Sequence, residues 1–381
     1  MEYSDIFIPV LEYLQKMQPP LPPPQLGSSI KFAVKGFDWE WLQDFKIGLV
    51  GLRPAGVPHS FSPLRESLYS LYLPQKKISI IDLGDIEIVN GNPEENTEKV
   101  ACALQQIFRQ GTFPLVFTEN MRYSYWVYAA LKNQFRSISA AYILPHANLG
   151  NPHEPLTEQN VVGHTFADLT RELSHLSLLG YQSYLTNFKD VQLLDKNYCE
   201  TMRLGVIRDD IQRAEPLLRD AMLLCASVNA LRQSDAPAST QPSPNGFYTE
   251  EMCRLLRFAA FSNELRACCI GGFNFVNDLN AQTTNLVAQL LWHVIEGIAN
   301  RVKEHPLNNK NNCRCHQVEM GKDNQQIVFY QGNITQRWWM EVPSAGKEQN
   351  RVIACSQSDY KQAAHGEIPD RWLWFFKKFA Q

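Results

Sequence analysis

The sequence predicts an α/β protein, a three-layer αβα domain around a mostly parallel sheet. Short apolar runs that end in glycine or a polar turn, such as FKIGLVG at 45–51 and ISIIDL at 78–83, alternate with amphipathic segments. These runs are apolar along their whole length, as strands covered on both faces are. With 381 residues and 44% hydrophobic content, the chain is large enough to build a core without covalent staples.

Taken in order, residues 4–17 place Ile6, Ile8, Leu11, Leu14 and Met17 at helical spacing, which predicts an amphipathic helix. Five prolines in the six residues 19–24 then predict an extended linker. Residues 1–35 thus read as an arm, either packed on the body or docking a partner. The α/β domain occupies 36–305. Its strands fall at 45–51, 78–83, 113–117 and 139–144, then at 176–179, 204–207, 223–228 and 267–270. Helices fit 98–110, 125–133, 214–220, 249–261 and 284–301. Ligands of such sheets bind beyond the carboxyl ends of the strands, so the residues just after each strand carry the functional signal.

The pattern changes from 306 to 381. LNNKNNCRCHQ at 307–317 reads as an exposed loop, since Cys313 and Cys315 are too closely spaced for a usual zinc site. A hairpin follows, with strands at 326–330 and 338–342 and a turn at Gly332–Asn333. The tail is rich in aromatics. Trp338, Trp339, Arg371, Trp372 and Trp374 form either a packing pad or an exposed interaction surface, for which tryptophan and arginine are well suited.

Composition excludes several classes. A net charge of −3 gives no electrostatic footprint for nucleic acid. The longest apolar run, 285–298, is broken by Gln289, His293 and Glu296, so no membrane span is expected. The amino terminus carries acids early and lacks the basic region of a signal peptide. Nine cysteines without framework spacing suit a reducing compartment, so the expected location is cytoplasmic.

The segment from Leu223 to Gly297 resembles the ureohydrolase superfamily of arginases and agmatinases, most closely its formiminoglutamase-like branch. GLVGLRPAGVPHSFSPLRESLYSLY, PLVFTENMRYSYWVYAAL and AAYILPHANLG resemble the earlier strands of that family in the same order. The resemblance covers roughly 45–300. It implies the arginase-like fold and, in catalytic members, two manganese ions that generate a hydroxide for attack on a guanidinium or amidine carbon.

The matching motifs are degenerate here. Met121 stands where the first histidine belongs. At the D-A-H-x-D motif the chain has Leu144, Pro145, His146, Ala147 and Asn148. At S-x-D-x-D, Ser227 and Asn229 replace both aspartates, and Gly272 occupies the late glutamate position, followed closely by Asn274. His146 alone survives among the ligand positions. Leucine and methionine do not bind hard dications, and amides carry no compensating charge, so no metal is expected. Retained manganese would need Glu119, Asp235 or Asp278 to substitute. A Cys225 or Ser227 nucleophile activated by His146 is a further option. Arg232 with Asn148, Ser227 and Asn229 would make a cationic floor for a small anion, unless Arg232 pairs with Asp235 or Glu119. The leading expectation is a non-catalytic member that acts as a protein-binding or scaffolding subunit, with a protein partner or a homo-oligomer. The alternatives are a manganese-dependent C–N hydrolase and a small-anion sensor.

Overall fold

The computed structural model describes residues 2–10, 24–57, 61–89, 91–169, 172–307, 310–320, 325–344 and 350–379. The chain opens with α1 (Tyr3–Ile6), β1 (Phe7–Ile8), β2 (Lys31–Phe32), β3 (Ile47–Pro54), α2 (Ser62–Ser70) and β4 (Ile80–Ile88). It continues through α3 (Pro93–Arg109), β5 (Phe113–Thr118), α4 (Ser124–Gln134), β6 (Ile138–Ile143), α5 (Val161–Phe166) and β7 (Leu173–Tyr181). Then come α6 (Phe188–Lys196), β8 (Glu200–Arg203), α7 (Leu204–Asp209), α8 (Glu215–Arg219) and β9 (Leu223–Ser227). The main body closes with α9 (Thr249–Ala260), β10 (Ala267–Gly271) and α10 (Gln282–Ala299). No described helix is long and apolar enough to cross a membrane, and all nine cysteines are free thiols.

These strands form one sheet in the order β1-β4-β3-β5-β10-β9-β6-β7-β8, with β2 also on β4. Pairing is parallel throughout except at β1. Alternate residues serve opposite cores, which is the three-layer arrangement. Cys268 and Ile270 of β10 face the layer of α2, α9 and α10, whereas Ala267 and Cys269 face that of α3, α4 and α5. The whole-run apolarity of the strands follows from this double cover.

Two strands outrun their predicted ends at Gly51 and Leu83. Both glycines there lie inside strands. At Gly51 a Cβ would sit 2.1 Å from the Asp85 carboxylate, and at Gly84 (φ +91°) it would sit 2.2 Å from the Ile8 carbonyl. The register of β3 on β4 slips between Leu49 and Gly51, so Gly84 lies in a bulge that turns Asp85 inward. There Arg65 is buried between Asp82 and Asp85, at 2.8 Å from each, with its guanidinium over the Phe117 ring. Tyr69 adds a hydrogen bond to Asp82.

The segment 204–207, predicted as strand, is helix α7, and the strand is the preceding 200–203. Its apolar pair Leu204 and Ile207 is buried at a three-residue interval, and so short a run fits either periodicity. The predicted helix over 4–17 is four residues long and gives way to β1, while 11–17 lie outside the described residues, as do the linker prolines before Pro24. What is described of the arm is stitched to the body: Tyr3 donates to the Leu83 carbonyl at 2.7 Å and stacks on Phe7.

The carboxy-terminal part is a second, antiparallel sheet of β11 (Cys313–Met320), β12 (Gln325–Gly332), β13 (Trp338–Val342) and β14 (Arg351–Cys355), followed by α11 (Gln357–Ala364) and α12 (Asp370–Phe379). The predicted hairpin is its centre. The stretch Cys313–His316, expected as a loop, is strand: His316 pairs with Phe329 and its ring lies against Trp338 and Tyr360. The aromatic cluster is a packing pad, which corrects the exposed-surface reading. Trp338 and Trp339 are buried, and the Trp372 indole donates to the Glu341 carbonyl. Arg371 bonds the Ala354 carbonyl and pairs with Glu200 and Asp220 of the main body, and Trp374 lies edge-on to His175 and Tyr198. Arg219 completes the join, donating to the carbonyls of Trp338 and Cys355 at 2.9 Å and lying over the Trp339 ring.

Arg65→Met should cost about 3–5 kcal/mol, because it leaves buried Asp82 without a cation and Asp85 with only Arg53, at 3.7 Å. The urea midpoint is the readout, and an unchanged midpoint would show the lock to be energetically silent.

Candidate functional site at the carboxyl ends of the strands

The residues singled out after β5, β10, β9 and β6 come from four neighbouring parallel strands, so the sheet order brings their carboxyl ends side by side. Glu119 follows β5, and its carbonyl accepts from the amides of Gly272 and Phe273 at 3.2 Å, tying the β5 and β10 ends together. Met121 is fully buried; its sulfur lies beside Gly271, 3.2 Å from where a Cβ would be. Gly272 has φ +88°, and a Cβ there would stand 2.7 Å from the Ser227 hydroxyl and 3.2 Å from the Asn229 amide nitrogen. Leu144 is buried as well.

The polar groups satisfy one another. Ser227 Oγ accepts from the Asn229 amide. The Asn229 side chain donates to Thr240 Oγ1 at 2.9 Å and accepts from the Gln241 backbone at 3.0 Å. Thr240 Oγ1 lies 3.1 Å from Glu158 Oε2, a carboxylate that also takes the Met121 amide at 3.0 Å and the Gln241 side chain at 3.3 Å. Burial pushes the Glu158 carboxyl up from its ordinary value, against the pull of these donors. The Thr240 amide in turn bonds the Gly272 carbonyl. The loop after β9 is thereby laced across the strand ends. Glu158, Thr240 and Gln241 were not expected from the sequence, because they sit in irregular segments with no spacing signal.

His146 is buried with its Nδ1 unbonded, and burial pushes it down to about 4, so the imidazole is neutral near pH 7. Asn148 turns outward to the next loop, bonding Leu185 and Asn187. Asn274 caps its own turn at Val276. Asp278 caps α10 through the amides of Thr283 and Thr284.

Three expectations need correction. Arg232 does not floor this site with Asn148, Ser227 and Asn229. Its backbone turns away at Phe247 and Ser243, and the side chain pairs with Asp235 at 2.7 Å against the Tyr248 ring. Asp235 is likewise spent on Arg232 and on the start of α9. Cys225 faces the apolar layer of α3 and α4, and burial pushes its thiol up to about 12, which removes it as a nucleophile.

A pair of hard dications needs several carboxylates and imidazoles converging on it. Here one imidazole and two carboxylates, the committed Glu158 and Glu119 after β5, belong to the strand-end segments, beside a thioether, a leucine, a hydroxyl and two amides. No group of three or more His, Cys, Asp or Glu suited to a metal occurs among the described residues. The donor set does not fit a binuclear manganese centre.

A model of the arginase family matches residues 53–296. No curated protein sequence matches the chain. Among solved structures, formiminoglutamase from Trypanosoma cruzi with manganese is 16% identical over 73% of this chain and 99% of its own, with a TM-score of 0.62. Formimidoylglutamase from Bacillus subtilis is 16% identical over 73% of this chain and 92% of its own, also at 0.62. Agmatine ureohydrolase from Thermoplasma volcanium is 14% identical over 75% and 97%, at 0.55. Likeness at such identities is a likeness of fold.

Thr240→Val takes one partner from buried Asn229 and half-buried Glu158 and should cost about 0.5–1.5 kcal/mol in urea unfolding. Acid should also act through His146. Its folded pKa lies below that of the unfolded chain, so between roughly pH 6.5 and 4 the unfolded state binds the extra proton and stability falls as the pH is lowered. Glu158, raised in the fold, opposes this trend. The two are separated by comparison with His146→Gln, whose stability should fall less steeply over that window; equal slopes would discount the histidine.

Proposed function

This chain belongs to the arginase family, and on that premise we propose that it is a non-catalytic member serving as a protein-binding or scaffolding subunit. The observation that carries the reading is the Glu158–Thr240–Asn229 network, which occupies the strand ends with mutually satisfied side chains. Beside it, Met121 and Leu144 fill with apolar atoms two positions where the family resemblance implies metal ligands. Without a metal to lower the pKa of water, the chain offers neither a hydroxide nor a substitute nucleophile here. What supports the binding half is the rim of the same face. Tyr184 and Phe188, after β7, are 67% and 70% exposed, and Val276 and Leu279, after β10, are 85% and 80% exposed. Large apolar side chains gathered at one end of a sheet suit contact with another protein surface.

Elemental analysis after incubation with manganese and desalting should find no stoichiometric metal, in the wild type and in His146→Ala alike. About two equivalents, lost on that substitution, would overturn the proposal and make the chain a candidate C–N hydrolase to be assayed with formiminoglutamate, agmatine and arginine. For the binding half, any complex or self-association measured by light scattering should be lost in Phe188→Glu with Val276→Glu. Retention of the complex would place the contact elsewhere.

A further inference from the structure

We propose that the cleft between α9 and α10 is a binding site for a compact phosphate-bearing anion, distinct from the strand-end face. The cleft has a volume of about 650 Å³, within the range of small-molecule sites. One wall is a single face of α9, where Glu250, Cys253, Arg254 and Arg257 recur at helical intervals; the other carries Gln289 and His293 of α10; and Arg232 with Tyr248 closes the end.

The arginines are what make it a site. Arg232 gives its Nε to Asp235 at 2.7 Å, and Arg257 gives its Nε to Glu296 at 3.1 Å. Each guanidinium is further seated on a ring, that of Tyr248 at 4.1 Å and that of Phe261 at 5.1 Å. No hydrogen bond among the described residues engages the terminal amino groups of either. Each side chain is therefore held by one edge, leaving its two-pronged end, the one that matches an oxyanion, free to donate. Arg254, between them in the sequence, is exposed and has no ion-pair partner among the described residues. Opposite lie two polar side chains of α10. Burial holds the His293 imidazole below its ordinary range, its Nδ1 is buried without a hydrogen bond, and the exposed Gln289 amide stands one turn away.

Asp235 and Glu296 are consumed by their arginines, and Arg254 is offset by Glu250 at the rim, so recognition rests on the forked donors rather than on a net charge. The amino terminus of α9 does not contribute, since Asp235 and Glu251 already take the amides of Thr249 and Tyr248. Phosphate is favoured because its several oxygens can be shared among forked donors arriving from separate walls.

Calorimetric titration of the full chain with inorganic pyrophosphate at low salt tests this. One saturable site is expected, weakened about tenfold by Arg254→Ala, the loss of one charge-assisted contact, and tightened by Glu250→Gln, which removes the opposing charge. Both side chains are exposed, so both variants should fold. Absence of saturable binding, or equal affinity in Arg254→Ala, would overturn the site and leave the reading of the strand-end face untouched.

Discussion

The Thr240 hydroxyl, set between the Asn229 amide and the Glu158 carboxylate, is the interaction on which the strand-end face depends. Four parallel strands finish there, and polar groups drawn out of water must be matched or they cost free energy. Several carboxylates would repel one another unless a cation sat among them. One carboxylate ringed by amide, hydroxyl and backbone donors needs no cation. The loop after β9 supplies most of those donors, so the same residues that balance the charge also hold the loop across the sheet.

A comparable principle governs the join between the two sheets. Arg219 reaches from the main body, beside Glu215, to backbone carbonyls of the added sheet, while Arg371, anchored on the Ala354 carbonyl of its own part, reaches back to Glu200 and Asp220. Tryptophan rings cover the remaining apolar ground. The added sheet is thereby fixed to the main body by directional bonds inside a hydrophobic seam, an arrangement that specifies one orientation rather than merely favouring contact.

The fold was legible because doubly covered strands write themselves as continuous apolar runs. What escaped was local. Gly51 and Gly84 read as strand ends, yet they are places where another group presses on the backbone, something composition cannot express. The polar run at 313–316 hid a strand because one of its faces is open to solvent. At the site, Met121, Leu144, His146, Asn148, Ser227, Asn229 and Gly272 were singled out through the family's motif order, and the sheet sets the ends of the strands that precede them side by side. Arg232 was misplaced because three residues along a turn reverse a side chain's direction. Glu158 was invisible, since its role depends on a loop folding back from a distant part of the chain.

Gly272 has a consequence for how this chain can change. Its backbone lies at φ +88° with Ser227 and Asn229 closed against it. Any side chain placed there meets both a strained dihedral and an occupied space. A carboxylate placed there would have to displace both Ser227 and Asn229, so the present packing shuts an acidic side chain out of the end of β10.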